Sequence, residues 1–230
     1  MKLPTPLYEG ILLRRYKRFM TDIERPDGSV ITAHTPNTGS MQQCAVPGYP
    51  VLFSQAHNPA RKYPFTLELI RVGDDWVDTH TQRSNRLVAE ALAGGWIDEF
   101  RGYQVVPEYR FGDSRIDFLL CKDAQRVLLE VKNVTLCCTP DTACFPDAVT
   151  RRGQKHLREL RQALDQGYRS VIFFLVQRSA AQSFAPADRI DPEYGRLLRE
   201  VAAAGVEVLA YQTTTTPLEN RISRALPVLL

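Results

Sequence analysis

Long apolar runs are missing from this sequence. The longest one, residues 171–176, is far shorter than the roughly 20 apolar residues that a membrane-spanning helix needs. The amino terminus also has no apolar segment behind its first lysine, so no secretory signal is expected. We therefore expect a soluble, cytoplasmic protein that has no membrane partner.

Cysteine is scarce, and its spacing is irregular. The five cysteines form an odd count and contain no pair of CxxC motifs, which disfavours a disulfide framework and a zinc site. We expect Cys137, Cys138 and Cys144 to be reduced thiols, as is usual in a cytoplasm. His34 and His156 have no partners at a recognisable spacing, and a structural role is expected for both.

A strong net charge is missing as well. The sum is only +3, so the distribution of charge must indicate the partners. Basic residues concentrate in two segments, residues 8–19 and 150–169. Either segment taken alone is most simply a solvated face, and it gains significance only beside a candidate site.

The first eighty residues have the pattern of a small β-domain. Turn-forming clusters separate short predicted strands at residues 7–24, 30–34, 51–54 and 65–72. From Ser84, a predicted N-cap, the pattern changes to an amphipathic helix that stops at two glycines. A domain boundary near residue 82 follows, with one domain at residues 1–82 and a second at 83–230.

The second domain alternates helices with strands, which predicts an α/β architecture (α+β for the whole chain). A mixed sheet flanked by helices is expected from this order. After the first helix the predicted elements are strands at 103–111, 114–120 and 127–134, a helix at 150–166, a strand at 171–176, a helix at 192–204 and a strand at 206–211.

The strands at 114–120 and 127–134 have the form of a hairpin, so their register can be predicted. If the hairpin is symmetric about residues 123 and 124, the numbers of opposed residues sum to 247. Asp117 then faces Glu130, and Arg115 faces Lys132, all on one side of the sheet. Ile116 and its alternate neighbours occupy the other side, which is uniformly apolar.

Opposed carboxylates destabilise a sheet unless a cation neutralises them. Asp117 and Glu130 offer the hard oxygen ligands that Mg²⁺ or Mn²⁺ prefers, and Lys132 could stabilise charge on a phosphate. The alternative is a solvated face on which these residues form ordinary salt bridges. It is less favoured, because Leu119 and Leu128 share the charged side and imply that this side is covered.

Longer motifs resemble one family across nearly the whole chain. They are RRYKRF at 14–19, HTPNTG at 34–39, SRIDF at 114–118, EVKNVTL at 130–136 and FPDAVTRRGQKHL at 145–157. With the order of elements, they resemble the sugar fermentation stimulation protein A family of bacteria and archaea. Thr35 stands where cysteine is common in that family, outside the motifs that carry the site.

The resemblance implies a small OB-like β-barrel followed by a PD-(D/E)xK nuclease-like domain, together with DNA binding. It implies Asp117 and Glu130 as metal ligands and Lys132 as the catalytic lysine. Gln154 resembles a helical glutamine that many such nucleases place beside the metal, and Glu90 is a weaker candidate ligand. The family name reflects a proposed regulatory role in sugar (maltose) metabolism.

Basic and aromatic residues supply the candidate DNA contacts. Cations interleaved with aromatic rings suit phosphate contact and base stacking on the β-domain. At the start of a helix, arginines oppose the macrodipole, so phosphate binding explains them better than stability does. The alternative for both groups is a solvated basic face. The candidates are Arg14, Arg15, Tyr16, Lys17, Arg18, Arg61 and Lys62, and then Arg151, Arg152, Gln154, Lys155 and Arg158.

Three functions are compatible with these residues. The favoured one is a DNA-binding protein with little sequence preference, because phosphate contacts carry no sequence information. The second is an active nuclease that depends on Mg²⁺ or Mn²⁺, since the three site residues are all present. The third, recognition of an operator, lacks a helix-turn-helix pattern. The sequence leaves the oligomeric state open, a homodimer included.

Overall fold

The first part of the chain is a closed β-barrel. The computed structural model describes residues 1–56, 58 and 61–230. The sheet order β3-β2-β1-β4-β5 closes because β5 also pairs in parallel with β3, and β6 continues from β5 as a hairpin. This is the predicted OB-like barrel. Its strands are β1 (Tyr8–Tyr16), β2 (Met20–Glu24), β3 (Val30–His34), β4 (Pro50–Gln55), β5 (Phe65–Val72) and β6 (Asp75–Asp78).

The prediction of one strand over residues 7–24 was wrong, because the chain reverses at residues 17–19 and forms the hairpin β1–β2. Lys17 and Arg18 adopt φ values of 49° and 62° in this turn. Glycine and asparagine usually occupy such positions, so the sequence carried no turn signal here. Strand β6 was not predicted either.

The second part is a mixed six-stranded sheet with helices on both faces. Its order is β15-β14-β12-β9-β8-β7, and β12 runs parallel to both of its neighbours. Helix α1 packs on one face, and α2 and α3 pack on the other. This is the predicted nuclease-like arrangement. The elements are α1 (Thr81–Ala93), β7 (Gln104–Phe111), β8 (Ser114–Lys122), β9 (Gln125–Val134), α2 (Arg151–Asp165), β12 (Arg169–Val176), α3 (Pro192–Ala203), β14 (Glu207–Thr215) and β15 (Asn220–Leu226).

A three-stranded sheet of four-residue strands completes the fold. It consists of β10 (Leu136–Thr139), β11 (Thr142–Phe145) and β13 (Ser183–Pro186). The three short strands were not predicted, because four-residue runs show no clear periodicity, and β15 was not predicted either. Cys138 and Cys144 form a disulfide across the β10–β11 hairpin, which corrects the expectation of free thiols for both. Cys137 is free and buried.

Helix α1 starts at Thr81, so the prediction of Ser84 as N-cap was wrong. The extra turn carries Arg83, whose buried guanidinium pairs with Glu68 and Asp78 of the barrel. This ion pairing holds the start of α1 against the barrel. Within the described residues, none of the helices is long and apolar enough to cross a membrane.

The loop after β3 is fixed by hydrogen bonds to strand β10 and to the loop between β11 and α2. Ser40 Oγ donates to the Asp147 carbonyl (2.6 Å), and Met41 N donates to Asp147 Oδ2 (2.9 Å). Gln43 exchanges two hydrogen bonds with the Cys137 backbone, at 2.7 and 2.8 Å. These contacts hold the barrel next to the end of the six-stranded sheet at which β8 and β9 separate.

Candidate metal centre and nucleic-acid interface

The two predicted metal ligands lie where β8 and β9 separate. The pairing between these strands runs from Lys122 and Gln125 to Phe118 and Leu129, with the predicted sum of 247 throughout. Asp117 and Glu130 come next. Asp117 N donates to Glu130 Oε2 (3.3 Å), and Val131 N donates to Asp117 Oδ2 (2.8 Å). Each carboxylate thus accepts a hydrogen bond from the backbone of the opposite strand.

Beyond this point the predicted register was wrong. Arg115 does not face Lys132; its side chain is exposed, with Nη1 3.4 Å from Glu108 Oε2. Ile116 packs in the core beneath α2 and α3 with Leu119, whereas strict alternation places it on the α1 side. The alternation is interrupted because β8 leaves β9 after Phe118. Glu108, opposite Asp117 on β7, also adopts a φ of 55°.

Glu130 is buried in contact with two basic groups. Its carboxylate accepts from Lys132 Nζ (2.7 Å) and from His156 Nδ1, both at Oε1. Burial alone would raise the pKa of Glu130, but Lys132 and His156 lower it to about 2. Glu130 is therefore ionised at neutral pH.

Asp117 is in a different electrostatic environment. Burial, together with the negative charge of Glu130, raises the pKa of Asp117 to about 6. Asn85 on α1 donates to Asp117 Oδ1 (2.6 Å) and fixes the carboxylate, and Lys132 offsets part of the repulsion. When Asp117 and Glu130 are both ionised, the negative charge of the pair therefore exceeds the positive charge beside it.

His156 and Asn85 belong to this site, although the sequence did not indicate them. His156, for which a purely structural role was expected, links two predicted site residues, because its Nε2 lies 3.4 Å from Arg152 Nε and its Nδ1 contacts Glu130. A proton on Nδ1 can be donated to Glu130, while Nε2 faces the Arg152 guanidinium. The only available signal was the four-residue spacing of Arg152 and His156, which places them on one helix face.

The donor set fits a divalent cation that takes its remaining ligands from water and substrate. Asp117 and Glu130 supply hard oxygens, and the raised pKa of Asp117 reflects its burial and then its repulsion by Glu130, which a cation would relieve. Ser84 Oγ and Asn133 Nδ2 border the same space and have no hydrogen-bond partner in the described structure. No larger group of three or more His, Cys, Asp or Glu suited to a metal occurs among the described residues.

Glu90 is not part of this site. Its carboxylate is exposed on α1 and pairs with the amino terminus at 3.2 Å. The suggestion that Glu90 is a metal ligand is therefore corrected, because it lies on the polar flank of α1, away from the side chains that reach the two carboxylates.

The carboxylates open into a cleft of about 640 Å³ between the barrel and the sheet. The barrel contributes Arg18 and the loop after β3, and α2 contributes Arg152 from its first turn. With Lys132, three cations border this space. Arg18 forms no ion pair with any described residue, so its charge is available to a ligand.

Several predicted DNA contacts are occupied within the barrel. Arg15 donates to the carbonyls of Arg18, Asn37, Gly39 and Ser40, so its guanidinium holds the loop after β3. Among the others, Arg14 and Tyr16 both bond Asp22, Arg61 donates to Thr66, Lys62 lies over the ring of Tyr63, and Lys17 is exposed in the turn.

On α2 the predicted contacts point in different directions. Gln154 donates to Asp191, the N-cap of α3, so the structure does not bring it to the carboxylates. Arg158 pairs with Glu193 on the α2–α3 side (3.2 Å), and Lys155 pairs with Glu159 (3.5 Å). Arg151 is exposed and forms no ion pair with a described residue. Only Arg152 of this set borders the cleft.

The fold and the site define a class: an OB-like barrel joined to a nuclease-like domain that carries paired carboxylates and a lysine. The family model described as "SfsA N-terminal OB domain" matches residues 13–78, and the one described as "Sugar fermentation stimulation protein RE domain" matches residues 82–219. The chain belongs to the sugar fermentation stimulation protein family.

Full-length relatives and a solved structure are similar to this chain. Sugar fermentation stimulation protein homologs from Syntrophotalea carbinolica and Geobacter sulfurreducens are 61% and 52% identical to it, over 100% of this chain and 100% and 99% of the relatives. The structure of SfsA from Pyrococcus furiosus in complex with Ca²⁺ superposes with a TM-score of 0.90 at 26% identity, covering 100% of both chains.

Proposed function

We propose that this protein binds DNA in the cleft between the barrel and the nuclease-like domain, mainly through phosphates. The observation that carries the proposal is the convergence of Arg18, from the barrel, and Arg152, from α2, on the cleft that holds the two carboxylates. Arginine guanidiniums suit phosphate oxygens, and such contacts give binding with little sequence preference. With it we propose the regulatory role in sugar (maltose) metabolism that the resemblance implies.

A divalent cation, Mg²⁺ or Mn²⁺, is part of this proposal. Asp117 and Glu130 would hold it, and the Ca²⁺ in the Pyrococcus furiosus relative supports a cation that prefers oxygen ligands. When bound, such a cation activates water and neutralises charge on a phosphate. Asn85 and His156 would keep the two carboxylates oriented through the hydrogen bonds described above.

A second function, metal-dependent cleavage of DNA, is favoured by one specific observation. Lys132 Nζ lies 2.7 Å from Glu130 Oε1, next to the carboxylate pair and at the floor of the cleft. A cation in this position would stabilise negative charge as it develops on a phosphate. The buried position of Lys132 suits such a role better than it suits simple attraction of DNA.

Two arginine pairs test the binding proposal. We expect Arg18→Ala with Arg152→Ala to weaken DNA binding and to lower the salt dependence of affinity by about two phosphate contacts. Arg158→Ala with Arg161→Ala is the matched control, because it removes the same charge from the α2–α3 side, where both arginines are paired with carboxylates. Fluorescence anisotropy of labelled DNA at several salt concentrations measures both.

The outcome decides where the DNA lies. Equal losses in the two double variants would show that only overall charge matters, and a loss confined to the Arg158 and Arg161 variant would place the DNA on the other side of α2. A wild-type protein that binds no DNA at low salt would contradict the proposal itself.

A further inference from the structure

A second groove on the barrel leads into the cleft. This barrel groove has a volume of about 730 Å³ and lies between the β1–β2 turn, the end of β3, the start of β5 and the start of α1. Asn37, Thr38, Thr81 and Gln82 border both the barrel groove and the cleft. An extended chain lying in the groove therefore continues directly toward Asp117 and Glu130.

We propose that the DNA bound by this protein has a single-stranded segment, and that this segment lies in the barrel groove. The proposal rests on the proposed function, because it names the kind of DNA that the cleft receives. It depends on three features of the groove: an exposed aromatic stack, cations without acidic partners, and the shared border with the cleft.

The aromatic stack is formed by Phe19 and His34. Their ring centroids are 6.2 Å apart and their planes differ by 8°, and Phe19 is 42% exposed. An exposed ring stacks on an unpaired base, whereas the bases of a duplex already have both faces covered. Phe19 lies at the tip of the β1–β2 hairpin, so the ring is held by the turn that also carries Arg18.

Three cations of the groove, Lys2, Arg61 and Arg86, are not neutralised by described carboxylates. Lys2 and Arg86 form no ion pair with a described residue, and Arg61 donates to the neutral hydroxyl of Thr66 (3.1 Å). Among the described residues that line the groove, Glu68 is the one carboxylate, and it is buried and already paired with Arg83. The groove therefore carries net positive charge, which suits a phosphate backbone.

The pKa values of the two histidines in the groove are consistent with its positive charge. Burial and then the charge of Arg61 lower the pKa of His34, and burial with Arg83 and Arg86 lowers the pKa of His80 to about 4. His80 Nδ1 is buried and has no hydrogen-bond partner within the described structure.

Anisotropy with two probes tests the proposal. One probe is a labelled oligothymidylate of about 16 nucleotides, the upper end of OB-fold site sizes, and the other is a blunt hairpin duplex. All binding buffers contain Ca²⁺ in place of Mg²⁺. We expect wild type to prefer the oligothymidylate. Phe19→Ala should weaken its binding by about five-fold to a hundred-fold, the effect of losing one base stack, while changing duplex binding by less than about two-fold.

Matched variants separate the groove from general effects. Trp96→Ala removes another exposed aromatic ring, one that borders neither the groove nor the cleft, and should change neither affinity. Arg86→Ala should weaken oligothymidylate binding and lower its salt dependence by about one contact. Arg196→Ala, which removes the same charge from α3, should not.

Each other outcome is informative. If wild type binds both probes equally and Phe19→Ala changes neither, or if Phe19→Ala weakens both equally, the single-strand assignment is wrong while the proposed DNA binding stands. A preference of wild type for the duplex also overturns the assignment. If wild type binds neither probe, the proposed function fails with it.

Discussion

Replacing Lys132 with alanine is expected to reduce DNA cleavage in the presence of Mn²⁺ by roughly a hundredfold or more. The reason is its position beside Glu130 at the floor of the cleft, where its charge would act on a transition state if the protein cleaves DNA. DNA affinity should stay nearly unchanged, because the Lys132 side chain is 12% exposed and its ammonium is occupied by Glu130 in the ground state. Single-turnover cleavage and anisotropy on the same preparations measure the two effects.

The control for this experiment is Lys122→Ala. Lys122 is an exposed lysine at the far end of β8, and its Nζ contacts the Arg101 carbonyl. Its removal should affect neither cleavage nor binding. If Lys132→Ala cleaves as wild type does, Lys132 is not the catalytic cation. If wild type cleaves no form of DNA with Mg²⁺ or Mn²⁺ while binding persists, the nuclease hypothesis is wrong and the binding proposal stands.

Metal affinity is expected to fall about tenfold between about pH 7 and about pH 5. In the proposed site the cation would bind the ionised pair, and the proton on Asp117, whose pKa is about 6, would compete with it below that pH. The stability of the fold depends on the same proton. Because the pKa of Asp117 is higher in the folded protein than in the unfolded chain, protonation of Asp117 stabilises the fold. This stabilisation is fully present below the unfolded pKa, which is near 4. That stabilisation is lost as pH rises through about 6, where the proposed cation would replace the proton.

Calorimetry with Mn²⁺ at the two pH values measures this effect, and Asp117→Asn is the direct comparison. The variant should bind the ion far more weakly at both values, since it lacks one of the two carboxylates. Equal binding by wild type and Asp117→Asn would contradict the metal site. A wild-type affinity that does not change with pH would contradict the role assigned to the proton on Asp117.

The sequence predicted the core of the site because a hairpin has a two-residue period and a short connection. Those two constraints fix the register from Lys122 to Phe118, and they bring Asp117 next to Glu130. They could not predict the separation of β8 from β9. That separation depends on the backbone of Glu108 in a third strand and on contacts with α1 and α2.

Contacts between elements distant in sequence account for the other differences. Arg15 belongs to a basic, aromatic motif that suggests DNA binding, yet its guanidinium is occupied by a loop some twenty residues later in the chain. Gln154 faces the N-cap of α3, and the next buried polar residue of α2, His156, faces the carboxylates instead. Local spacing identifies a helix face, but the packing of α3 decides which polar residue reaches the site.

Hydrogen–deuterium exchange of the full chain, with and without DNA, tests the central claim most directly. DNA bound in the cleft should protect the segments that border it: residues 37–39, 81–85, 130–136 and 144–152. The α2–α3 surface around Arg158 and Arg196 should exchange as before. Protection of that surface without protection of the cleft would contradict the account, as would an unchanged exchange pattern at saturating DNA.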